Sequence, residues 1–244
     1  MRYRRILMKL SGGALAGEEG WGFAPQAIEH IADEVLDVHR MGVEVGIVVG
    51  GGNIFRGELG EQWGIERAEA DNIGMLATVI NGLMLRGALT ARGEGSDVRV
   101  MTAIPINAVA EPYIRLRAIN HLEHGRIIIL VAGTGNPYVT TDYPAVQRAL
   151  ELRAEALLAA KNGVDGIYTA DPRRNPAARR YRTIGYDTVI RQNLRALDQS
   201  AVLLARDHSL PVHVFDFDQA GAMRRICVGE DVGTVIADAR DELV

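Results

Sequence analysis

Short β-branched apolar runs alternate along this chain with longer stretches whose apolar residues recur every three or four positions. That alternation predicts strands and helices of an α/β protein, a three-layer αβα sandwich around a mostly parallel central sheet. Strands are expected at Arg5 to Leu10, Val43 to Val49, 98–103, 126–132, 156–160, 212–216 and 233–237. Helices are expected at 25–41, 71–91, 111–123, 142–153 and 198–208. The first is well marked: Pro25 suits an opening turn, Ile28, Ile31, Val35 and Val38 share one stripe, and Gly42 can end it. In the helix at 71–91, Ile73, Met75, Leu76, Val79, Ile80, Leu83, Met84 and Leu85 leave little polar circumference. Such a helix must be buried nearly all round, inside the fold or against a second chain.

Three strand candidates break off into polar, glycine-rich turns: Lys9-Leu10-Ser11-Gly12-Gly13, Gly50-Gly51-Gly52-Asn53 and Gly133-Thr134-Gly135-Asn136-Pro137. Glycines let backbone N–H groups crowd around an anion, and turns at the ends of parallel strands gather on one edge of a sheet. Three phosphate cradles in one small protein point to nucleotide chemistry. Lys9 sharpens the point, because Lys9 and Lys161 are the only lysines and every other basic residue is arginine.

At 244 residues the chain can bury a substantial core. A formal net charge of −4 argues against a sequence-independent grip on nucleic acid, and no nucleic-acid partner is expected. One cysteine, Cys227, excludes an internal disulfide and a cysteine-based zinc site, and reads as a buried apolar residue. The basic start resembles a signal peptide, but Lys9 cuts the following apolar stretch. No uninterrupted apolar run approaches the ~18 residues of a membrane helix, so a soluble protein without a membrane partner is expected. The segment 171–176 is the most loop-like of the C-terminal half.

The chain has no P-loop signature, no dinucleotide G-x-G-x-x-G after the first strand and no D-F-G triplet. His121 and His124 share a helix face and read as solvated side chains. A distributed set remains: Lys9, Ser11, the glycines at 50–52, Arg56, Asp71, Thr134 to Thr141, Asp142 and Asp171. Phosphoryl transfer suits such a set, because it needs positioned cations, amides and a divalent metal rather than a covalent nucleophile. Lys9 can supply charge to the group in flight, Arg56 can clamp a phosphate, and Asp142 can orient the lysine or serve as a helix N-cap.

The strings Lys9-Leu-Ser-Gly, Gly50-Gly-Gly-Asn-Ile-Phe-Arg56-Gly, Gly74-Met-Leu-Ala-Thr-Val-Ile-Asn81-Gly, Thr134-Gly-Asn-Pro-Tyr-Val-Thr-Thr-Asp142, Val164-Asp-Gly-Ile-Tyr-Thr-Ala-Asp-Pro172 and Ala205-Arg-Asp-His208 resemble bacterial UMP kinases of the amino-acid kinase superfamily. The resemblance runs from about Arg5 to Ile236. It implies an amino-acid kinase fold whose N-terminal lobe, about 1–142, mainly binds UMP and forms interfaces, and whose C-terminal lobe, about 143–244, mainly binds ATP. The implied reaction is reversible phosphorylation of UMP to UDP by ATP with Mg²⁺, in pyrimidine nucleotide synthesis, with Lys9, Arg56 and Asp142 as catalytic residues. By the same resemblance ATP is held by Lys9, Leu10, Ser11, Gly12, Gly52, Arg56, Asn162, Tyr168 and Asp171. UMP is held by Gly51, Asp71, Thr134, Gly135, Asn136, Pro137, Tyr138, Val139, Thr140 and Thr141. No residue binds metal directly, since Mg²⁺ arrives with ATP.

The segment Gly17-Glu18-Glu19-Gly20-Trp21-Gly22 resembles one linked to allosteric GTP, but its paired acids would repel phosphate, so contacts would come from neighbouring chains or from Arg86 and Arg126. The turn Arg92-Gly-Glu-Gly-Ser96 is a second departure from the family pattern. Further implications are a homohexamer, GTP as activator, UTP as inhibitor and a cytoplasmic location. Lys161 and Asp198 lie near the matched motifs with no role assigned. Two alternatives stand beside this reading: a non-catalytic relative that senses nucleotide or stores an oxyanion, and an amino-acid or carbamate kinase.

Overall fold

Strand β1 (Arg5–Leu10) shows how alternation builds the layers in the computed structural model, which describes residues 1–93, 95–194 and 196–244. Ile6, Met8 and Leu10 enter the apolar cluster on one side of the sheet, and Leu7 enters the cluster on the other. Period two therefore turns Lys9 to the side of Leu7.

The chain continues through α1 (Gly13–Ala16), a 3-10 turn (Gly17–Glu19), α2 (Pro25–Arg40), β2 (Glu44–Val49), α3 (Gly57–Gln62), α4 (Arg67–Arg92), β3 (Val98–Thr102), β4 (Glu111–Pro112) and α5 (Arg115–Glu123). Then come β5 (Ile127–Val131), α6 (Asp142–Glu151), β6 (Ala156–Lys161), β7 (Tyr181–Gly185), α7 (Tyr186–Arg191), α8 (Gln199–Asp207), β8 (Val212–Asp216), α9 (Ala222–Val228), β9 (Thr234–Ala237) and β10 (Glu242–Leu243). One sheet holds all the strands in the order β10-β7-β9-β8-β6-β1-β2-β5-β3-β4. It is mostly parallel, as expected, with antiparallel pairing at β8–β9 and β10–β7 and one isolated antiparallel bridge between Tyr168 and Arg180. Residues of α2, α4 and α9 fill the cluster on one face, and residues of α5, α6, α7 and α8 fill the other.

Several expectations are corrected. The helix expected from residue 111 begins at Arg115, because Glu111 and Pro112 pair with Met101 and Thr102 at the sheet edge. Elements β7, α7 and α9 escape the periodicity because each is too short to repeat it. His121 is buried rather than solvated: its Nε2 lies 3.0 Å from Glu111 and its Nδ1 faces Arg126 at 3.0 Å. Cys227 is buried as expected, and burial pushes its thiol up to about 12. At the turn 92–96, Arg92 pairs with Asp33 at 2.8 Å, and Glu94 lies outside the described residues.

Helix α4 is not buried all round. Its inner face carries Val79, Leu85 and Leu89, whereas Leu76 and Ile80 are each 48% exposed and Met84 is 39% exposed. At 26 residues it is also long and apolar enough by composition to cross a bilayer, although, as expected, Thr78, Asn81 and Arg86 interrupt its apolar run. Within the fold it packs on α2, β3 and β5, and Gly82 lets Val131 of β5 approach closely.

Candidate active site

Because β1, β2 and β5 are adjacent and parallel, their C-terminal ends bring the three glycine turns to one edge. The amide of Gly50 donates to the carbonyl of Leu10 at 2.9 Å. The first two turns touch so closely that a Cβ on Gly12 would lie 2.4 Å from the Gly52 nitrogen, and one on Gly51 would lie 2.6 Å from the Gly74 carbonyl oxygen. Below them, Asn53 and Asn81 form a fully buried amide pair. Asn81 also donates to Gly50 O at 2.7 Å and Asn53 to Gly22 O at 2.8 Å, so the second turn is anchored to α4 and to the segment 17–22.

Lys9 is 8% exposed, and its Nζ lies 2.7 Å from Asp142 Oδ1 at the start of α6. Asp142 is not the N-cap that sequence allowed: Thr141 takes that position. The other oxygen of Asp142 accepts from the Asp198 amide at 3.1 Å, and Asp198 Oδ2 in turn accepts from the Thr140 hydroxyl. Asp198, left without a role by sequence, therefore joins the Asp142 carboxylate to the third turn. Lys161 ends β6 beside β1, with Lys9 in register with Ala159. Burial, and secondly the nearby Lys9 ammonium, lower the Lys161 pKa, opposed by Asp142 and Asp198. Two lysines and two carboxylates thus share one small volume, in which the lysines are the groups able to meet phosphate oxygens and the carboxylates hold their direction.

On the β2 and β5 side opens a depression of about 200 Å³ whose wall includes Gly51, Gly52, Asp71, Asn136, Val139, Thr140 and Thr141. Asp71 reaches across it, accepting from the Tyr138 amide at 2.7 Å while Arg67, one turn back, holds it at 2.9 Å. Thr134, Gly135, Pro137 and Tyr138 belong to the same turn but not to this wall, and Tyr138 is 66% exposed. Sequence missed Phe55, Gly74, Met75 and Thr78, which also line the wall. Their signal was present in the Gly50-to-Gly57 string for Phe55 and the Gly74-to-Gly82 string for the other three, both matched to a family but not read for contacts.

On the β6 and β8 side a second depression, about 540 Å³, takes in Lys161, Tyr168 and Asp171. The Tyr168 hydroxyl donates to Asp165 at 2.8 Å, and burial followed by that carboxylate raises its pKa. Asn162 stands at the edge with its amide on Asp218 at 2.8 Å. Asp171 Oδ1 accepts from the Arg173 amide, ordering the loop that sequence expected at 171–176. Ser11 is exposed at the first turn, while Leu10 is buried beneath it. Arg56 donates to Gly52 O at 3.0 Å and to Gly20 O at 2.9 Å, which places the segment 17–22 against the phosphate cradle. Glu19, Gly20 and Trp21 line a shallow pocket there with Arg56. Arg86 and Arg126 stand apart from that segment: Arg86 donates to Val109 O at 3.2 Å, and Arg126 pairs with Asp97 at 2.7 Å.

No group of three histidine, cysteine or acidic side chains with metal-holding geometry occurs among the described residues. The Lys9 and Lys161 ammoniums are donors suited to phosphate oxygens.

The model of the Amino acid kinase family matches residues 4–216. A uridylate kinase of Frankia casuarinae is 59% identical over 99% of this chain and 93% of its own length. One from Pediococcus pentosaceus is 48% identical over 97% of both. The crystal structure of UMP kinase from Bacillus anthracis superposes with a TM-score of 0.98 at 59% identity, covering 100% of each chain.

Proposed function

Since this chain belongs to the amino acid kinase family, in its uridylate kinase branch, and phosphorylates UMP to UDP with ATP, we propose that its two depressions divide the substrates, with Lys9 at their border. UMP occupies the depression walled by Gly51, Asp71, Asn136 and Val139 to Thr141, with Thr134, Gly135, Pro137 and Tyr138 shaping the turn that carries that wall. ATP occupies the side of Asn162, Tyr168 and Asp171, with its phosphates over Lys9, Leu10, Ser11, Gly12, Gly52 and Arg56. The observation that carries this division is the position of β1 between β2 and β6, with the ion pair of buried Lys9 and partly buried Asp142 at its end. A lysine there meets the phosphoryl group as it passes in line from one pocket to the other, and Asp142 fixes the direction of its Nζ.

The Asp71 carboxylate can accept from ribose hydroxyls. The threonine and backbone wall can match the uracil edge, whose O4 acceptor and N3–H donor are reversed in cytosine. ATP-using kinases employ a divalent cation, here Mg²⁺, which neutralises charge on the phosphates when bound. Arg56 holds two carbonyls in the free protein and can exchange them for phosphate oxygens. This link between Gly20 and the cradle supports a part for residues 17–22 in activation by GTP, with UTP as inhibitor.

A homohexamer is supported by the exposed apolar stripe of α4, and a cytoplasmic location by the single buried thiol. The lobe boundary falls near Asp142, where the acceptor turn passes into α6.

The test is a coupled ADP-release assay with ATP and Mg²⁺, offering UMP, CMP, dUMP or no acceptor. Turnover confined to UMP is expected, and Lys9→Ala should lower it by at least ~10²-fold, the scale of one transition-state donor. Near-normal turnover in Lys9→Ala would refute the catalytic assignment, and nucleotide binding without turnover on any acceptor would favour a sensor.

A further inference from the structure

The turn that carries the acceptor wall leaves β5 in an unfavourable conformation. Ala132, fully buried, has φ +61°, followed by Gly133 at +55°, Gly135 at +80° and Tyr138 at +64°. A non-glycine residue in the left-handed region costs roughly 1–2 kcal/mol, so such a turn persists only where its surroundings dictate it. Two side chains grip it from behind. Thr78 on α4 accepts from the Ala132 amide at 2.7 Å while donating to Met75 O at 2.7 Å. Arg148 on α6 donates from Nη2 to the Gly133 carbonyl at 3.2 Å.

Arg148 is unusual in this chain, because it is 8% exposed whereas most of the other arginines lie at the surface. Its guanidinium is locked on three sides. Nη1 pairs with Glu151 at 2.6 Å, the plane sits 3.9 Å from the centre of the Tyr113 ring, and the Tyr113 hydroxyl donates to Glu151 at 2.6 Å. Gln147 donates to the remaining Glu151 oxygen at 3.0 Å. Burying a guanidinium is costly unless each donor has a fixed partner, and here the partner beyond the ion pair is the backbone of the acceptor turn. Arg148 does not line the acceptor depression, but Gly133 does.

We propose that Arg148, held by Glu151 and Tyr113, is a positioning residue for the acceptor: by fixing the Gly133 carbonyl it sets where Asn136 to Thr141 meet UMP. The inference rests on the reading that this depression holds UMP. Only a planar fork satisfies Glu151 and Gly133 at once, since a lysine is a single point charge on a flexible stem. The clamp acts on one substrate, because nothing in it touches the ATP side.

Steady-state kinetics with UMP and ATP varied separately test this on three variants. R148K, which keeps the charge for Glu151, should raise KM for UMP by about 10-fold or more, the scale of one charge-assisted hydrogen bond, with KM for ATP within about 2-fold. Y113F keeps the ring but frees Glu151, and should raise KM for UMP in the same direction by a smaller factor while its melting temperature stays near wild type. If R148K does not fold, Y113F alone decides. A rise shared equally by both substrates, a loss in kcat alone, or an unchanged KM for UMP overturns the clamp. Asp71→Asn, run alongside, should also raise KM for UMP selectively. If it does not, the acceptor assignment fails and the clamp with it, whereas an effect of D71N with none in R148K or Y113F overturns the clamp alone.

Discussion

A methyl group on Gly12 would meet the Gly52 nitrogen at 2.4 Å and the Asn53 nitrogen at 2.9 Å, both backbone atoms that cannot rotate away. Gly12 itself has φ −58°, ordinary for any residue, so what forbids a side chain is the contact between turns and not the local conformation. Gly13 next to it meets only the Ser11 hydroxyl oxygen, at 3.8 Å. Gly12→Ala should therefore displace the second turn and lower turnover by about 10²-fold, the cost of misplacing reacting groups by ~1 Å, while Gly13→Ala stays near wild type in the same assay. Equal activity of the two would remove the close approach from the account. Sequence showed which turns were rich in glycine and attributed them to amides around an anion. It could not show which glycine serves instead to let two loops touch, because the partner lies in another strand's turn. Lys9 was legible as a rare lysine on a turn, and its ion-pair partner Asp142 was already a candidate. Asp198 was not, since its link to Thr140 exists only after α8 is packed beside α6.

At the level of elements, period two on β1 and β6 decides where both lysines point. Leu7 and Lys9 share one face of β1, and Leu157, Ala159 and Lys161 share the same face of β6, the side covered by α6 and α8. The parity was readable from sequence, but the adjacency of the two strands was not, because β2 to β5 intervene in the chain. Helix α4 teaches the converse. Its composition indicated burial all round, yet the fold covers one face and leaves Leu76, Ile80 and Met84 exposed. Burying such a side chain from full exposure gains ~1.5–3 kcal/mol, so covering these partly exposed ones gains on the order of half that each, and a second copy is the partner proposed for the stripe. Leu76→Asp with Ile80→Asp should shift the protein to a smaller species in sedimentation velocity, with its own melting transition retained. An assembly of unchanged size would move the interface off α4.

Across the whole molecule, the N-terminal segment is tied to the far side of the site's sheet by a buried pair. The Tyr3 hydroxyl lies 2.8 Å from His213 Nε2 on β8, and burial, with Arg2 adding to it, holds the His213 pKa down to about 3. The folded protein thus keeps His213 neutral where an unfolded chain would take up a proton. Its contribution to stability is complete above pH ~6.5 and is lost as pH falls from there toward 3, by on the order of 4 kcal/mol at the bottom of that window. Urea unfolding at pH 7.5 and 5.5 should show the loss, and the double variant Tyr3→Phe, His213→Leu should show a shallower dependence. Matching slopes would place the acid sensitivity elsewhere. Sequence by itself determined the layered α/β class, most strand and helix positions and the three glycine turns, because periodicity and turn chemistry act over a few neighbouring residues. The tertiary structure alone decided that β1 lies between β6 and β2, that Asp198, Arg148 and Thr78 reach the acceptor turn, and that α4 keeps one apolar face uncovered. Those facts depend on contacts between residues far apart in the chain, and no local pattern encodes which distant segment will supply the partner.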